Sequence, residues 1–91
     1  MLFVWIGFLR ADAEAVSQEV QQQTTDFLQQ PYISIHSGGP LRDEGGRRAA
    51  MMMQFEAEDR AAAEALVRNS PYLAAGLYEA HHLFEYQNEV G

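Results

Sequence analysis

The sequence predicts an α+β domain whose elements follow the order strand, helix, strand, strand, helix, strand. Three patterns predict this order: a continuous apolar run near the start of the chain, two segments with apolar residues at helical spacing, and alternating apolar and polar residues in the other extended segments. In 91 residues this order favours a four-stranded antiparallel sheet with both helices on one face, the ferredoxin-like βαββαβ arrangement. Residues 1–91 are therefore expected to form a single domain.

The first strand and the first helix are predicted from the apolar residues of the N-terminal third. Leu2 to Phe8 is apolar on both faces, which is typical of a central strand. A helix is expected from about Asp12 to Gln30, before Pro31 prevents its continuation. Its apolar stripe consists of Val16, Val20, Phe27 and Leu28. Thr24 interrupts this stripe, so its hydroxyl is expected to hydrogen-bond to the carbonyl one turn earlier.

Two further strands are predicted in the middle of the chain. Tyr32 to Ser37 alternates in polarity, with His36 on its polar side, and the Gly38-Gly39-Pro40 segment is expected to end this strand. Asp43 to Arg48 contains two glycines between acidic and basic residues and is predicted to be a turn or loop. Ala49 to Glu56 alternates again and is predicted to be the third strand.

The second helix has the clearest boundaries in the sequence. Asp59 is placed to cap it, and Arg60 to Val67 consists largely of strong helix formers. Its apolar stripe is predicted to contain Ala62, Ala63, Leu66 and Val67. Ser70 followed by Pro71 predicts a second, short helical turn that Gly76 ends.

The last extended segment, Leu77 to Val90, is predicted to form one strand or two short ones. His81 and His82 are then expected on opposite faces of the sheet, because successive strand side chains alternate. The first and third strands are apolar on both sides, so the sheet face away from the helices needs a cover. A second copy of the chain is the expected cover, which predicts a homodimer with its two sheets packed face to face.

Composition excludes several classes of function. Thirteen acidic residues against six basic ones give a net charge of −7, which disfavours nucleic acids and anionic membranes as partners. The chain has no lysine for Schiff-base chemistry and no cysteine for disulfides or thiolate chemistry. The spacing of the three histidines fits no metal motif, so neither a metal nor a cofactor is expected. The apolar N-terminal run is too short to span a bilayer, and a cytoplasmic location is expected.

Several segments of the chain match a known pattern: Met1 to Val4, Gly39-Pro40-Leu41 after the second strand, Glu56 to Val67, and Asn69 to Glu79. Through these segments the chain resembles the YCII-related family of small proteins over nearly its full length. The resemblance implies a dimeric α+β barrel built from ferredoxin-like subunits.

The resemblance also implies an active site with a histidine on the first helix and an aspartate before the proline-tyrosine pair. In this sequence Thr24 and Ser70 occupy those positions, and Leu9 stands where the family tends to have an aspartate after its first strand. Neither hydroxyl acts as a general base near neutral pH without help. The resemblance therefore implies the family's fold without its suggested chemistry.

These observations predict a small-molecule-binding or non-catalytic protein. The expected ligand-binding residues are Thr24, Gly39, Pro40, Ser70 and Tyr72. The alternative is a small enzyme, of lyase, hydrolase or dehydrochlorinase type, in which His36 is the general base for a small organic substrate. A subunit that binds other proteins is a third hypothesis, based on the acidic composition and small size.

Overall fold

The computed structural model describes residues 1–11, 18–30, 33–74 and 76–91, with the side chains of Gln21, Leu28, Tyr72 and Ala74 left out. Four predicted features lie outside the described residues: the helix start at Asp12, its Val16, the helix break at Pro31 and the start of the second strand at Tyr32. The described elements are β1 (Leu2–Leu9), α1 (Gln18–Leu28), β2 (Ser34–Arg42), β3 (Arg48–Glu56), α2 (Arg60–Arg68), α3 (Pro71–Ala74) and β4 (Tyr78–Tyr86).

The four strands form one antiparallel sheet in the order β2-β3-β1-β4. β1 lies between β3 and β4, which confirms the central position predicted from its apolar run. The ferredoxin-like order of strands and helices is likewise confirmed.

The core lies between α2 and one face of the sheet. Phe3 and Phe55 are cross-strand partners in β1 and β3, and their rings stack with centroids 6.0 Å apart. Ala63 and Val67 bring the buried stripe of α2 onto this face. Burial of these side chains supplies most of the hydrophobic stabilisation of the fold, because it is roughly proportional to the apolar area removed from water.

The prediction that β2 ends at Gly38-Gly39-Pro40 is wrong. The strand continues to Arg42, with Gly39 opposite Met52 and Pro40 opposite Met51 in β3. Because β2 is an edge strand, a proline is tolerated where its missing N–H would face away from the sheet.

The turn after β2 lies where the sequence predicts it. Asp43 Oδ1 accepts hydrogen bonds from the backbone nitrogens of Gly45 and Arg47, both at 2.9 Å. Gly46 has a φ of 81°, which glycine adopts without steric cost. These contacts join β2 and β3 into a hairpin.

The start of α2 and the end of α3 lie where the sequence predicts them. Asp59 Oδ1 accepts a hydrogen bond from the Ala62 nitrogen at 2.8 Å, which confirms the predicted cap. Gly76 has a φ of 69°, and its nitrogen donates to the Leu73 carbonyl at 3.1 Å, so the chain leaves α3 where predicted. In the part of the chain that the structure describes, none of the helices is long and apolar enough to cross a membrane.

Candidate functional site

A cleft of about 760 Å³ lies between α1 and α2, on the helix side of the sheet. Phe27 of α1 and Ile33 contribute to one side, and α2 contributes the other. Among the described residues, the lining consists of Met1, Phe27, Ile33, Glu56, Ala57, Glu58, Ala62, Ala65, Leu66 and Asn69. Apolar side chains with a few polar groups at this volume are typical of a small-molecule site.

The space exists because α2 presents small side chains to α1. Ala62 and Ala65 line the cleft together with Leu66, one turn apart on the same side of the helix. Ala63 and Val67 point instead into the core. One side of α2 therefore packs in the core, and another side lines the cleft. The predicted apolar stripe is therefore correct for Ala63 and Val67, whereas Ala62 is exposed in the cleft.

Thr24 lies three residues before the cleft-lining Phe27 and thus on the same side of α1. Thr24 is only 6% exposed, and its Oγ1 has no hydrogen-bond partner among the described residues. The predicted bond to the carbonyl one turn earlier is therefore wrong. A buried hydroxyl without a partner is costly, and such groups are rare in folded proteins.

Ser70 lies between two helices that border the same region. It follows Asn69, a cleft-lining residue, and its backbone nitrogen donates to the Val67 carbonyl at 3.0 Å. The next residue, Pro71, begins α3, which contacts α1. Thr24 and Ser70 are therefore each close in sequence to a lining residue of the cleft.

His36 lies on the opposite side of the sheet from the helices. Its Nε2 is 3.2 Å from Glu56 Oε1, with the two side chains 44% and 53% exposed. Glu56 also lines the cleft, so the pair lies where the cleft meets the end of the sheet. Neither His36 nor Thr24 is among the described residues that line the cleft.

The other predicted site residues are Gly39, Pro40 and Tyr72. Gly39 and Pro40 lie in the second half of β2, opposite Met52 and Met51. The side chain of Tyr72 is outside the described residues. Gly39 and Pro40 are not among the described residues that line the cleft.

His81 and His82 lie on opposite faces of β4, as predicted. Nδ1 of His81 accepts a hydrogen bond from Trp5 Nε1 at 3.2 Å, which places His81 on the helix side. His82 lies on the other face, with ring centroids 6.3 Å from Phe8 and 6.0 Å from Phe84. Within the described part of the chain, no group of three or more His, Asp or Glu side chains is arranged to hold a metal ion.

The Trp5 contact was missed by sequence reasoning, since strand pairing brings together residues that are 76 positions apart. Tyr78 packs edge-on against the same indole at a centroid distance of 5.2 Å. A Cβ on Gly7 would lie 2.5 Å from the Trp5 ring and 2.8 Å from Tyr78, so glycine is required for this packing. The cleft lining was also not predicted, because it brings together residues that are far apart in the sequence. The short alanines of α2, which face Phe27, were the sequence feature that could have indicated it.

The fold and the cleft define a small ferredoxin-like α+β protein with an open space between its helices. The chain belongs to the YCII-related domain family, whose model matches residues 1–87. A comparison with the curated proteins found no match.

Solved structures support the same fold. The chain is similar to the 5-chloro-2-hydroxyhydroquinone dehydrochlorinase TftG from Burkholderia phenoliruptrix AC1100, in complex with 2,5-dihydroxybenzoquinone, at 21% identity and a TM-score of 0.75. That match covers 98% of this chain and 96% of the other. Rv0793 from Mycobacterium tuberculosis is similar at 13% identity and a TM-score of 0.55, covering 99% and 97% of the two chains. At these identities the likeness shows the fold alone.

Proposed function

We propose that this protein is a homodimer that binds a small organic molecule in the cleft between α1 and α2. The observation that carries the proposal is the cleft itself: about 760 Å³ of open space lined mostly by apolar side chains, with polar side chains at Glu56, Glu58 and Asn69. Space of this size is within the range of known ligand pockets, and apolar walls supply affinity while a few polar groups orient the ligand.

Thr24 and Ser70 support binding without the chemistry suggested for the family. Both side chains are hydroxyls, and neither supplies a general base near neutral pH unaided. Thr24 is not among the described residues that line the cleft, but its unpaired hydroxyl belongs to the side of α1 that carries the lining residue Phe27. The ligand roles expected for Gly39, Pro40 and Tyr72 stay predictions.

The homodimer is supported by the open face of the sheet, which is the face away from the core residues Phe3 and Phe55. Phe8, Phe84 and Tyr86 are exposed on this face. A contiguous apolar surface of this kind is uncommon on a monomer and is typical of an interface. A cytoplasmic location, as expected from the sequence, is part of the proposal.

A thermal-shift screen tests the binding function. The panel contains phenols, hydroxyquinones including 2,5-dihydroxybenzoquinone, small carboxylates and small amines. A ligand at 100 times its Kd stabilises the protein by about 2.7 kcal/mol. This corresponds to a rise in Tm of about 11–22 °C for a domain of this size.

Matched variants on α2 locate the binding site. Ala65 lines the cleft, whereas Ala61 is exposed on the same helix outside the lining. Ala65→Phe is expected to abolish the ligand-dependent shift, and Ala61→Phe is expected to retain it. A panel without any stabilising compound, or equal shifts in both variants, would remove the cleft as the functional site.

A dehydrochlorinase-like enzyme is the second candidate function. The pairing of His36 with Glu56 favours it, because a carboxylate 3.2 Å from an imidazole orients the ring for proton transfer. In a dehydrochlorination the base takes a proton from the substrate and chloride leaves. Such chemistry would proceed without Thr24, which lies on the other side of the sheet.

Chloride release from 5-chloro-2-hydroxyhydroquinone tests this alternative. If it holds, His36→Ala removes activity while His82→Ala, also on the open face, retains it. The absence of protein-dependent chloride release, or equal activity in both variants, rejects His36 as the base.

A further inference from the structure

The described lining of the cleft carries acidic side chains and no basic ones. Glu56 and Glu58 both belong to the lining, and they are two residues apart in the segment where β3 leads into α2. The remaining polar lining residue is Asn69, which is uncharged. The local charge therefore has the same sign as the net charge of the whole chain, −7.

Two groups near the cleft are able to reduce this negative potential. Met1 is itself a lining residue, and its ammonium group donates to the Ala57 carbonyl at 3.1 Å. The His36 imidazole lies 3.2 Å from Glu56. Neither group pairs with Glu58 in these contacts. Glu58 is exposed and is not within an ion pair among the described residues. A ligand cation is thus able to approach its carboxylate.

We propose that the cleft selects small organic amines with an apolar body over neutral and anionic molecules of the same shape. The apolar part of such a ligand packs between Phe27 and the alanines of α2, and its ammonium group lies beside Glu58. An anion would meet the carboxylates of Glu56 and Glu58 against the single ammonium group of Met1 among the described lining residues, which is unfavourable. This inference rests on the proposed binding function and names the ligand class.

Three probes of similar shape test the selectivity: 2-phenylethylamine, 2-phenylethanol and 3-phenylpropanoate. Their Kd values are measured by NMR titration at pH 7 and low ionic strength, where exposed charges are screened least. The amine is expected to bind about five- to ten-fold more tightly than the alcohol, and the carboxylate more weakly than both.

Two glutamate variants on or beside α2 separate a local contact from the overall field. Glu58→Gln is expected to weaken amine binding about three- to five-fold and to leave alcohol binding unchanged. Glu64→Gln makes the same charge change at an exposed position outside the described lining, and it is expected to leave amine binding unchanged. Added salt should reduce the preference for the amine.

Equal affinity for the amine and the alcohol, or equal effects of the two glutamate variants, would overturn the inference. If the three probes bind with equal affinity and Ala65→Phe abolishes their binding, the proposed function is still supported. If none of the three probes binds, the amine inference fails, and the wider thermal-shift panel decides the proposed function separately.

Discussion

Thr24 is the residue at which the structure differs most clearly from the hydrogen bonding expected from the sequence. The sequence showed that Thr24 belongs to an apolar stripe, but it did not show whether the hydroxyl has a hydrogen-bond partner. A threonine hydroxyl in a helix lies within reach of the backbone carbonyl one turn earlier. A hydrogen bond between the two was therefore expected. The structure instead leaves Oγ1 buried without a described partner, next to the helical turn that lines the cleft.

Replacing Thr24 with valine should stabilise the ligand-free protein. Valine has nearly the same shape, keeps the branched Cβ, and removes a buried hydroxyl without a described partner, so we expect a gain of about 1 kcal/mol in the free energy of unfolding. Urea denaturation monitored by Trp5 fluorescence measures the change. Gln23→Leu is the control, a polar-to-apolar change at an exposed position of the same helix, and it should change stability by less than about 0.5 kcal/mol. A destabilised Thr24→Val protein would show that the hydroxyl has a stabilising partner.

At the level of elements, the sequence predicted the boundaries that depend on local chemistry. The Asp59 cap, the glycine after α3 and the Asp43 turn each involve residues within a few positions of one another. The end of β2 was mispredicted because glycine and proline usually interrupt strands, whereas here they lie in an edge strand held by long-range pairing with β3.

The Asp59 cap should account for a measurable share of the stability of α2. Asp59→Ala removes the acceptor of the Ala62 N–H bond, and we expect a loss of about 1 kcal/mol in the free energy of unfolding. Asp59→Asn keeps an oxygen acceptor and should lose much less. Thermal denaturation followed by circular dichroism compares the two. Equal losses in both variants would mean that charge and not the hydrogen bond stabilises the helix start.

The candidate site was less predictable than the fold. Thr24 and Ser70 lie near cleft-lining residues, but the lining itself depends on how far α1 and α2 stand apart. That separation is set by packing on the sheet, which periodicity does not encode. The alternation predicted His36 on the polar side of β2, whereas its contact with Glu56 could not be predicted without the strand register.

At the scale of the whole molecule, both faces of the sheet are apolar but only one is covered by helices. On the open face, Val4, Ile6 and Met52 are half-buried, and Phe84 is 55% exposed. The strand pattern predicted this excess of apolar surface, because β1 and β3 are apolar on both sides. No further element among the described residues covers this face, and the second copy remains a prediction.

Light scattering coupled to size-exclusion chromatography should report about twice the chain mass of 10.2 kDa at micromolar concentration. Phe84→Glu places a charge on the open face and should give a monomer, since burying an unpaired carboxylate in an interface is costly. Val90→Glu makes the same change at a side chain that is 89% exposed beyond β4, and it should stay dimeric. A monomeric wild-type protein would exclude the homodimer.

The binding of a small molecule between α1 and α2 is tested most directly by backbone chemical-shift mapping with a ligand from the thermal-shift panel. We predict ligand-dependent shifts at Phe27, Ala65 and Asn69, which line the cleft from both helices. Ile6 and Phe84 on the open face should remain unperturbed. Shifts confined to the open face, or no concentration-dependent shifts at Phe27, Ala65 and Asn69, would contradict the proposed site.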